Sequence, residues 1–354
     1  EEAILVIDLT MNLTDRPAGL DFEQLALQAL AKRGQPRQFH LLEVTRAIRK
    51  AAGDDGILGI FLKGSLQPAG YGCGYAALAE LGEALDDFRK SKKTIVGYAV
   101  DPSLRDYLVF SHADELFLNP YGTVEFGGMA AEVTFYGKAF EEYGIGVQVA
   151  RTGEYKSAVE PYLSDHFSDS NREQLEEVLG DRWRDYLGHV SRNRELSLEQ
   201  LQKIPDESFW LTGEKAVLAG LVDKEAHYDQ VIDRLNEIGE VEEETGEFAQ
   251  VTLDDYVDRP RTMSDVVALE DDDRPAVSVV YLEGAILDGW GDDGVFVGGD
   301  EIADRLRDIR QDDKTEVVVL RVNSPGGSVT GAEVSSPRVE CDSVPSEGSE
   351  VTVN

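Results

Sequence analysis

Basic residues, histidine, cysteine and long apolar runs are all scarce in this chain of 354 residues. Lysine and arginine number 34 against 69 aspartates and glutamates, a formal net charge of −35. A surface with that excess of carboxylates repels nucleic acid and anionic membrane, so DNA and RNA are excluded as partners. The charge fits solubility in a saline medium better than a dedicated cation site. Cys73 and Cys341 belong to no Cys-x-x-Cys pair and to no zinc spacing, and two cysteines cannot build a disulfide framework. The five histidines are scattered, with no His-Glu-x-x-His, which argues against a metal hydrolase; neither a metal nor a cofactor is expected. No stretch reaches about 18 consecutive apolar residues, so no membrane span is expected. The chain begins at Glu1 without a methionine, which is consistent with a removed leader or anchor.

What is present is a chain long enough for two domains, with 42% hydrophobic residues to fill a core. Short β-branched runs alternate with amphipathic stretches. Residues 3–9, 57–62, 94–100 and 115–118 read as buried strands. Residues 21–52, 75–88, 107–111, 171–195, 213–222 and 228–238 read as helices, and Leu41, Leu42, Val44, Thr45 and Ile48 form an apolar stripe at helical spacing. That alternation predicts α/β layering around largely parallel strands.

After residue 238 the composition shifts. Glu240 to Glu244 and Glu270 to Asp273 bracket a stretch with little periodicity, so 239–274 reads as an acidic linker with one extended piece at Gln250 to Leu253. Then the pattern restarts. Residues 276–282 resemble the strand at 3–9, 300–309 match the helix at 41–52, and 316–322 mirror 57–62. We read residues 1–238 as one complete unit and 275–334 as the opening of a second. Where the first unit has a regular helix, residues 335–354 have two prolines and no helical period. They read as a disordered, aberrant tail of a truncated second copy.

Two loops could carry chemistry. Arg151-Thr152-Gly153-Glu154-Tyr155-Lys156-Ser157-Ala158-Val159-Glu160-Pro161 follows the apolar run 147–150, which reads as a strand end. Gly153 supplies a turn, and Pro161 is expected to bias Glu160 away from helix. Lys156 would then sit on a constrained connection. The second loop, Asn323-Ser324-Pro325-Gly326-Gly327-Ser328, follows a strand. Its paired glycines allow a tight turn with outward N–H groups, suited to an anion or a developing oxyanion. A third glycine-rich loop, 70–77, has a Gly-x-Gly-x-x-Ala spacing like a dinucleotide fingerprint. Its acids, Asp86 and Asp87, fall inside the following helix instead of at a second strand end, so nucleotide binding is not supported.

The segments Val319 to Thr330 and Arg151 to Pro161 together resemble the signature segments of the signal peptide peptidase A (protease IV) family. Ala113-Asp114 before Asn119-Pro120, and Leu211 to Ala216 before Gly220-Leu221-Val222-Asp223, agree in the same order. The repeat matches that family's long, two-copy form. The resemblance covers about residues 3–334 and implies a crotonase-like, Clp-peptidase-like α/β fold. It further implies a serine–lysine peptidase that degrades cleaved signal peptides without metal or cofactor. By resemblance Lys156 is the general base, Gly326 and Gly327 form the oxyanion turn, and the Ser157 hydroxyl could orient the amine. Residues 1–238 become the half carrying the base, and 275–334 the start of the half carrying the turn. A peptidase lysine must be dried: from a free value near 10.4 its pKa has to fall by roughly 2–3 units, about 3–4 kcal/mol.

The resemblance breaks at the nucleophile. The family's serine lies in a Gly-x-x-Ala-Ser-Gly-Gly-Tyr segment of the second half, and this sequence has no such segment. Its first-copy counterpart, aligned on Tyr107, places Leu104 there, with Ser103 one residue away; Ser328 in the turn reads as a structural hydroxyl. The chain alone is therefore expected to be inactive. The resemblance also implies peptide partners, homo-oligomers of the full-length form and an extracytoplasmic location at the inner membrane through a segment not present here. Two other readings stay open: a non-catalytic scaffold or peptide-binding member, and a crotonase-type acyl-CoA enzyme, against which the Lys156 segment argues.

Overall fold

A computed structural model of the chain describes residues 2–15, 37–68, 73–150, 153, 155–242, 245–257, 275–291 and 296–335. It opens with β1 (Ala3–Asp8), β2 (Met11–Thr14), β3 (Arg37–His40), α1 (Leu41–Gly53), β4 (Ile57–Lys63) and α2 (Tyr75–Arg89). There follow β5 (Thr94–Ala99), α3 (Leu104–Phe110), β6 (Glu115–Leu118), β7 (Thr123–Glu125), α4 (Gly137–Glu142), α5 (Glu160–Leu163) and α6 (Asp169–Arg194). Next are α7 (Leu198–Glu207), β8 (Trp210–Thr212), α8 (Gly213–Leu218), β9 (Lys224–Glu225), α9 (Tyr228–Ile238), β10 (Gln250–Thr252) and α10 (Leu253–Val257). The last described elements are β11 (Ala276–Glu283), β12 (Ala285–Leu287), β13 (Phe296–Gly298), α11 (Gly299–Gln311), β14 (Thr315–Asn323) and α12 (Val329–Ser335). None of the described helices is long and apolar enough to cross a membrane.

The chain divides into two compact units, one of Glu1–Lys93 with Ala249–Asn354, the other of Thr94–Phe248. In the first, β1 lies between β10 and β4, all parallel. Its strands read as near-continuous apolar runs because both faces are covered. Ile4, Leu5, Ile7, Ile60, Phe61 and Leu62 are buried, as are Val44, Ile48 and Ala51 of α1 and Leu78, Leu81, Leu85 and Phe88 of α2. In the second unit β6 lies between β5 and β9, again parallel. Tyr107 packs edge-on against Phe126, which is tilted against Tyr186 of α6.

Several expectations need correcting. Residues 37–40, read as helix, are a strand parallel to β2, because the hydrogen-bonding edge of β2 overrides a weak helical stripe; residues 16–36 lie outside the described set. The stretch 239–257 is not plain spacer. Val251 pairs beside Leu5, and Phe248, Val251, Leu253 and Tyr256 are buried, so apolar side chains dock it despite the acidic run. The rest of the expected linker, 258–274, and the tail 336–354 lie outside the described residues.

The segment from Ala276 is built like the opening of the chain. In both parallel pairs the register slips at the same place: Ala3 faces Ile57 and Ile4 faces Gly59, while Ala276 faces Thr315 and Val277 faces Val317. The helices before β4 and β14 also end alike. Asp54 donates its N–H to the Ala51 carbonyl and accepts from the Gly56 N–H; Asp312 donates to Ile309 and accepts from the Lys314 N–H. The packing differs. Val317, Val318, Val319, Leu320 and Val322 of β14 are exposed, whereas Ile60, Phe61 and Leu62 at the corresponding places of β4 are buried. Among the described residues β14 has one strand neighbour, β11, whose Val280 joins Val297, Ile302 and Leu306 in a small buried cluster.

Candidate active site

The lysine segment lies in the second unit. The expected strand end at 147–150 is not there: these residues are coil and Val149 is exposed, since no strand pairs with them among the described residues. Gly153 adopts φ +95°, a conformation that a side chain would strain. Lys156 (φ −85°, ψ 74°) then leads into one 3-10 turn over Ser157–Val159. Pro161 does not keep Glu160 out of helix. Glu160 opens α5 with φ −56° and ψ −37°, and Pro161 sits in the first turn, where its missing N–H would have had no partner.

Glu160 explains why this short segment holds its shape. It is only 4% exposed. Its carboxylate accepts from the Ser168 hydroxyl at 2.6 Å, the Ser168 N–H at 3.3 Å and the Asn171 side-chain amide at 2.9 Å. Ser168 in turn caps α6 by accepting from the Asn171 N–H. The turn bearing Lys156 is thereby fastened to the start of a helix of 26 residues. On its other side Tyr136, Phe140 and Tyr162 stack, and the Tyr136 N–H donates to the Pro161 carbonyl at 2.6 Å. Lys156 itself is exposed, so the drying that a peptidase lysine needs is not supplied by burial among the described residues. The sequence reading missed the role of Glu160; the Ser168-Asp169 helix start a few residues on was the available signal.

The hydroxyls of Ser103 and Ser328 are both engaged at helix starts. Ser103 caps α3: its hydroxyl donates to Asp106 at 2.7 Å and accepts from the Asp106 N–H at 3.3 Å, while the same buried carboxylate takes the Ser103 N–H at 3.0 Å. This reciprocal box holds the Oγ as a structural group. Leu104 is the first residue of the helix. Ser328 likewise donates to Asp288 at 2.7 Å and accepts from the Gly331 N–H at 3.2 Å, at the start of α12.

The glycine turn lies in the first unit, on the exposed end of β14. Gly326 adopts φ +99°. Gly327 forms a parallel bridge with Ile286, made by Ile286 N–H to Gly326 carbonyl at 3.0 Å and Ser328 N–H to Ile286 carbonyl at 2.7 Å. In such a bridge the N–H of Gly327 faces the opposite edge, away from Ile286. A Cβ at 327 would collide with the Ile286 backbone, so only glycine permits this approach. The Gly326 N–H is turned onto the Ser324 hydroxyl at 3.1 Å. Gly327 is thus the better-presented donor of the pair.

The remaining acids are occupied or dispersed. Asp87 pairs with Arg49 and Lys90, and hydrogen bonds from Lys90 first and Arg49 second hold its carboxyl below the ordinary range. That is the behaviour of a surface ion pair, not of a ribose ligand; residues 69–72 of the glycine-rich loop lie outside the described set. Among the described residues no group of three or more His, Cys, Asp or Glu could hold a metal ion.

Comparison with known proteins decides the family. Residues 87–242 match the profile of peptidase family S49. Over 306 residues the chain is 32% identical to Protease 4 of Salmonella typhi, an alignment covering 83% of this chain and 47% of that protein. Residues 87–242 belong to peptidase family S49. Protease 4 of Haemophilus influenzae is 29% identical over 348 residues, covering 96% of this chain and 55% of its own length. The chloroplastic serine protease SPPA of Arabidopsis thaliana is 27% identical over 288 residues, covering 80% of this chain and 41% of its own. The chain spans about half the length of the curated relatives it matches. The S49 match includes Lys156 and Ser103 and ends before Gly326.

Proposed function

We propose that this chain supplies the base and the oxyanion turn of a serine–lysine endopeptidase acting on cleaved signal peptides. The supporting observation is the construction of the Lys156 turn: a buried carboxylate, Glu160, locks an otherwise exposed lysine segment onto α6 inside the S49-matched region. In the reaction the neutral lysine amine takes the proton of an attacking serine hydroxyl as its Oγ bonds to the peptide carbonyl carbon. The carbonyl oxygen becomes an oxyanion, and the Gly327 N–H, with that of Gly326 after it leaves Ser324, donates to it. The ammonium then protonates the departing amine, leaving an acyl-enzyme that water hydrolyses by the same route. Because Lys156 is exposed here, the desolvation has to come from the nucleophile-bearing segment or from bound peptide. On this reading the fold is a crotonase-like unit, duplicated, and the full protein works as a homo-oligomer held at the extracytoplasmic face of the inner membrane.

The chain alone is inactive on this proposal. Treated with a fluorophosphonate probe, it acquires no serine adduct, because Ser103 and Ser328 hold helix caps. An adduct mapped to either serine, and lost in Lys156→Ala, overturns the statement that the nucleophile lies elsewhere. The capped state of both hydroxyls also favours a second reading, a non-catalytic peptide-binding member. Tight peptide binding that is unchanged in Lys156→Ala would select it.

A further inference from the structure

The Gly326–Gly327 turn follows β14, a strand backbone-paired to β11 whose own side chains are mostly exposed. Its side-chain contacts include a polar clamp. Arg321 lies opposite Tyr281 in the β11–β14 ladder, two residues before Asn323. Its guanidinium donates Nε to Asp15 Oδ1 at 2.8 Å and brings Nη2 to the same oxygen at 2.6 Å. Nη1 donates to Glu80 Oε2 at 2.8 Å. Asp15 is the buried residue directly after β2, and Glu80 is half-buried on α2. One planar group therefore joins β14 to two separate elements of the chain's opening segment.

The corresponding place in that opening segment shows that this is not a general feature of the ladder. There Lys63 lies opposite Asp8, at 3.8 Å, and pairs within its own strand pair. In the later pair Tyr281 replaces the aspartate. With no carboxylate facing it, the arginine is sent outward to Asp15 and Glu80. A lysine could not reproduce this contact, because one ammonium on a flexible stem lacks the rigid fork that reaches two carboxylates at once.

We propose that Arg321 is a positioning residue: its fork onto Asp15 and Glu80 sets where β14 presents the Gly326 and Gly327 amides. The proposal rests on the reading of that turn as the oxyanion donor. The clamp lies five and six residues from the two glycines along one extended strand and its turn, so a shift of the strand is passed to them directly. The turn's nearer contacts are local: Ile286, in the three-residue strand β12, pairs with it through backbone, and the Ser328 hydroxyl donates to Asp288 just after that strand.

The test uses the intact chain with ¹⁵N-glycine labelling, together with amide hydrogen exchange over residues 319–331. In Arg321→Gln and Arg321→Lys the Gly326 and Gly327 signals shift and exchange over 319–331 rises about tenfold or more. Gly180 and Gly188, in α6, keep their signals. Glu80→Gln, which removes the charge from one arm and leaves a weaker neutral hydrogen bond, gives an intermediate change and serves if the arginine variants do not fold. Unmoved glycine signals in Arg321→Gln, or full retention of both readouts in Arg321→Lys or Glu80→Gln, overturn the proposal. Neither readout involves catalysis, so a failed clamp is distinct from a failed oxyanion assignment. The latter would show as hydrolysis by a nucleophile-bearing form that Gly327→Ala leaves unchanged.

Discussion

Replacing Glu160 by alanine should loosen the lysine segment without unfolding the unit that carries it. The side chain is almost fully buried, and its carboxylate accepts from the Ser168 hydroxyl, the Ser168 N–H and the Asn171 amide. A hydrogen bond to a charged group is worth about 1.5–3 kcal/mol net, and members of one network do not add. Ser168 keeps its cap on the Asn171 N–H in the variant, and water can enter the vacated space. We therefore expect a local loss of about 3 kcal/mol, less than three independent bonds. Glu160→Gln keeps the shape but places an NH₂ group against a donor, so it should cost about 1–2 kcal/mol. Amide exchange read across residues 155–172 should rise about a hundredfold in the alanine variant and about tenfold in the glutamine variant. Exchange in β5 and β6 should stay unchanged. Unaltered protection over 155–172 in Glu160→Ala would refute the claim that this carboxylate organises the segment.

Other outcomes follow from the same geometry. Gly327→Ala should push the turn off Ile286, costing on the order of 2 kcal/mol locally and removing protection of the Ser328 N–H, which exchange mass spectrometry detects. Burial raises the Tyr107 hydroxyl, which donates to the Leu221 carbonyl at 2.6 Å, well above the ordinary tyrosine range. The folded form resists an ionisation that the unfolded form undergoes near pH 10, so stability is full below that pH and falls as pH rises above it; Tyr107→Phe should flatten this loss in denaturant titrations while costing about 1–2 kcal/mol at neutral pH. Lys138, hydrogen-bonded to Asp165 at 2.7 Å, and then His166 hold the Asp165 carboxyl at about 2. The ion pair is thus complete above the ordinary carboxylate range and lost as pH falls toward 2. Lys138→Met should return the value toward about 3.9 in an NMR titration.

Much of the fold was legible because apolar runs carry their own period. The helix at Tyr228–Ile238 is where its stripe places it, and β11, α11 and β14 are where the restarted pattern places them. The errors have a common cause. The strand at Arg37–His40 and the docking of Gln250–Thr252 depend on a hydrogen-bonding edge far away in sequence, which local composition does not encode. Val147 to Ala150 fails in the opposite way: it has strand composition and no edge to join among the described residues. At the site, the lysine segment and the glycine turn were visible as motifs. The groups that hold them were not, because Glu160 and Arg321 look like ordinary surface charges until Ser168, Asn171, Asp15 and Glu80 are brought beside them.

The central claim is that this chain contributes the base and the oxyanion turn while the nucleophile lies elsewhere. It is tested most directly by joining residues 1–334 to the part of Salmonella typhi Protease 4 beyond the matched region and measuring peptide hydrolysis. The account predicts turnover by this chimera, falling about a thousandfold or more in Lys156→Ala, with no recovery in Lys156→Arg. A folded chimera that is inactive, or one that hydrolyses peptide equally well without Lys156, would contradict it.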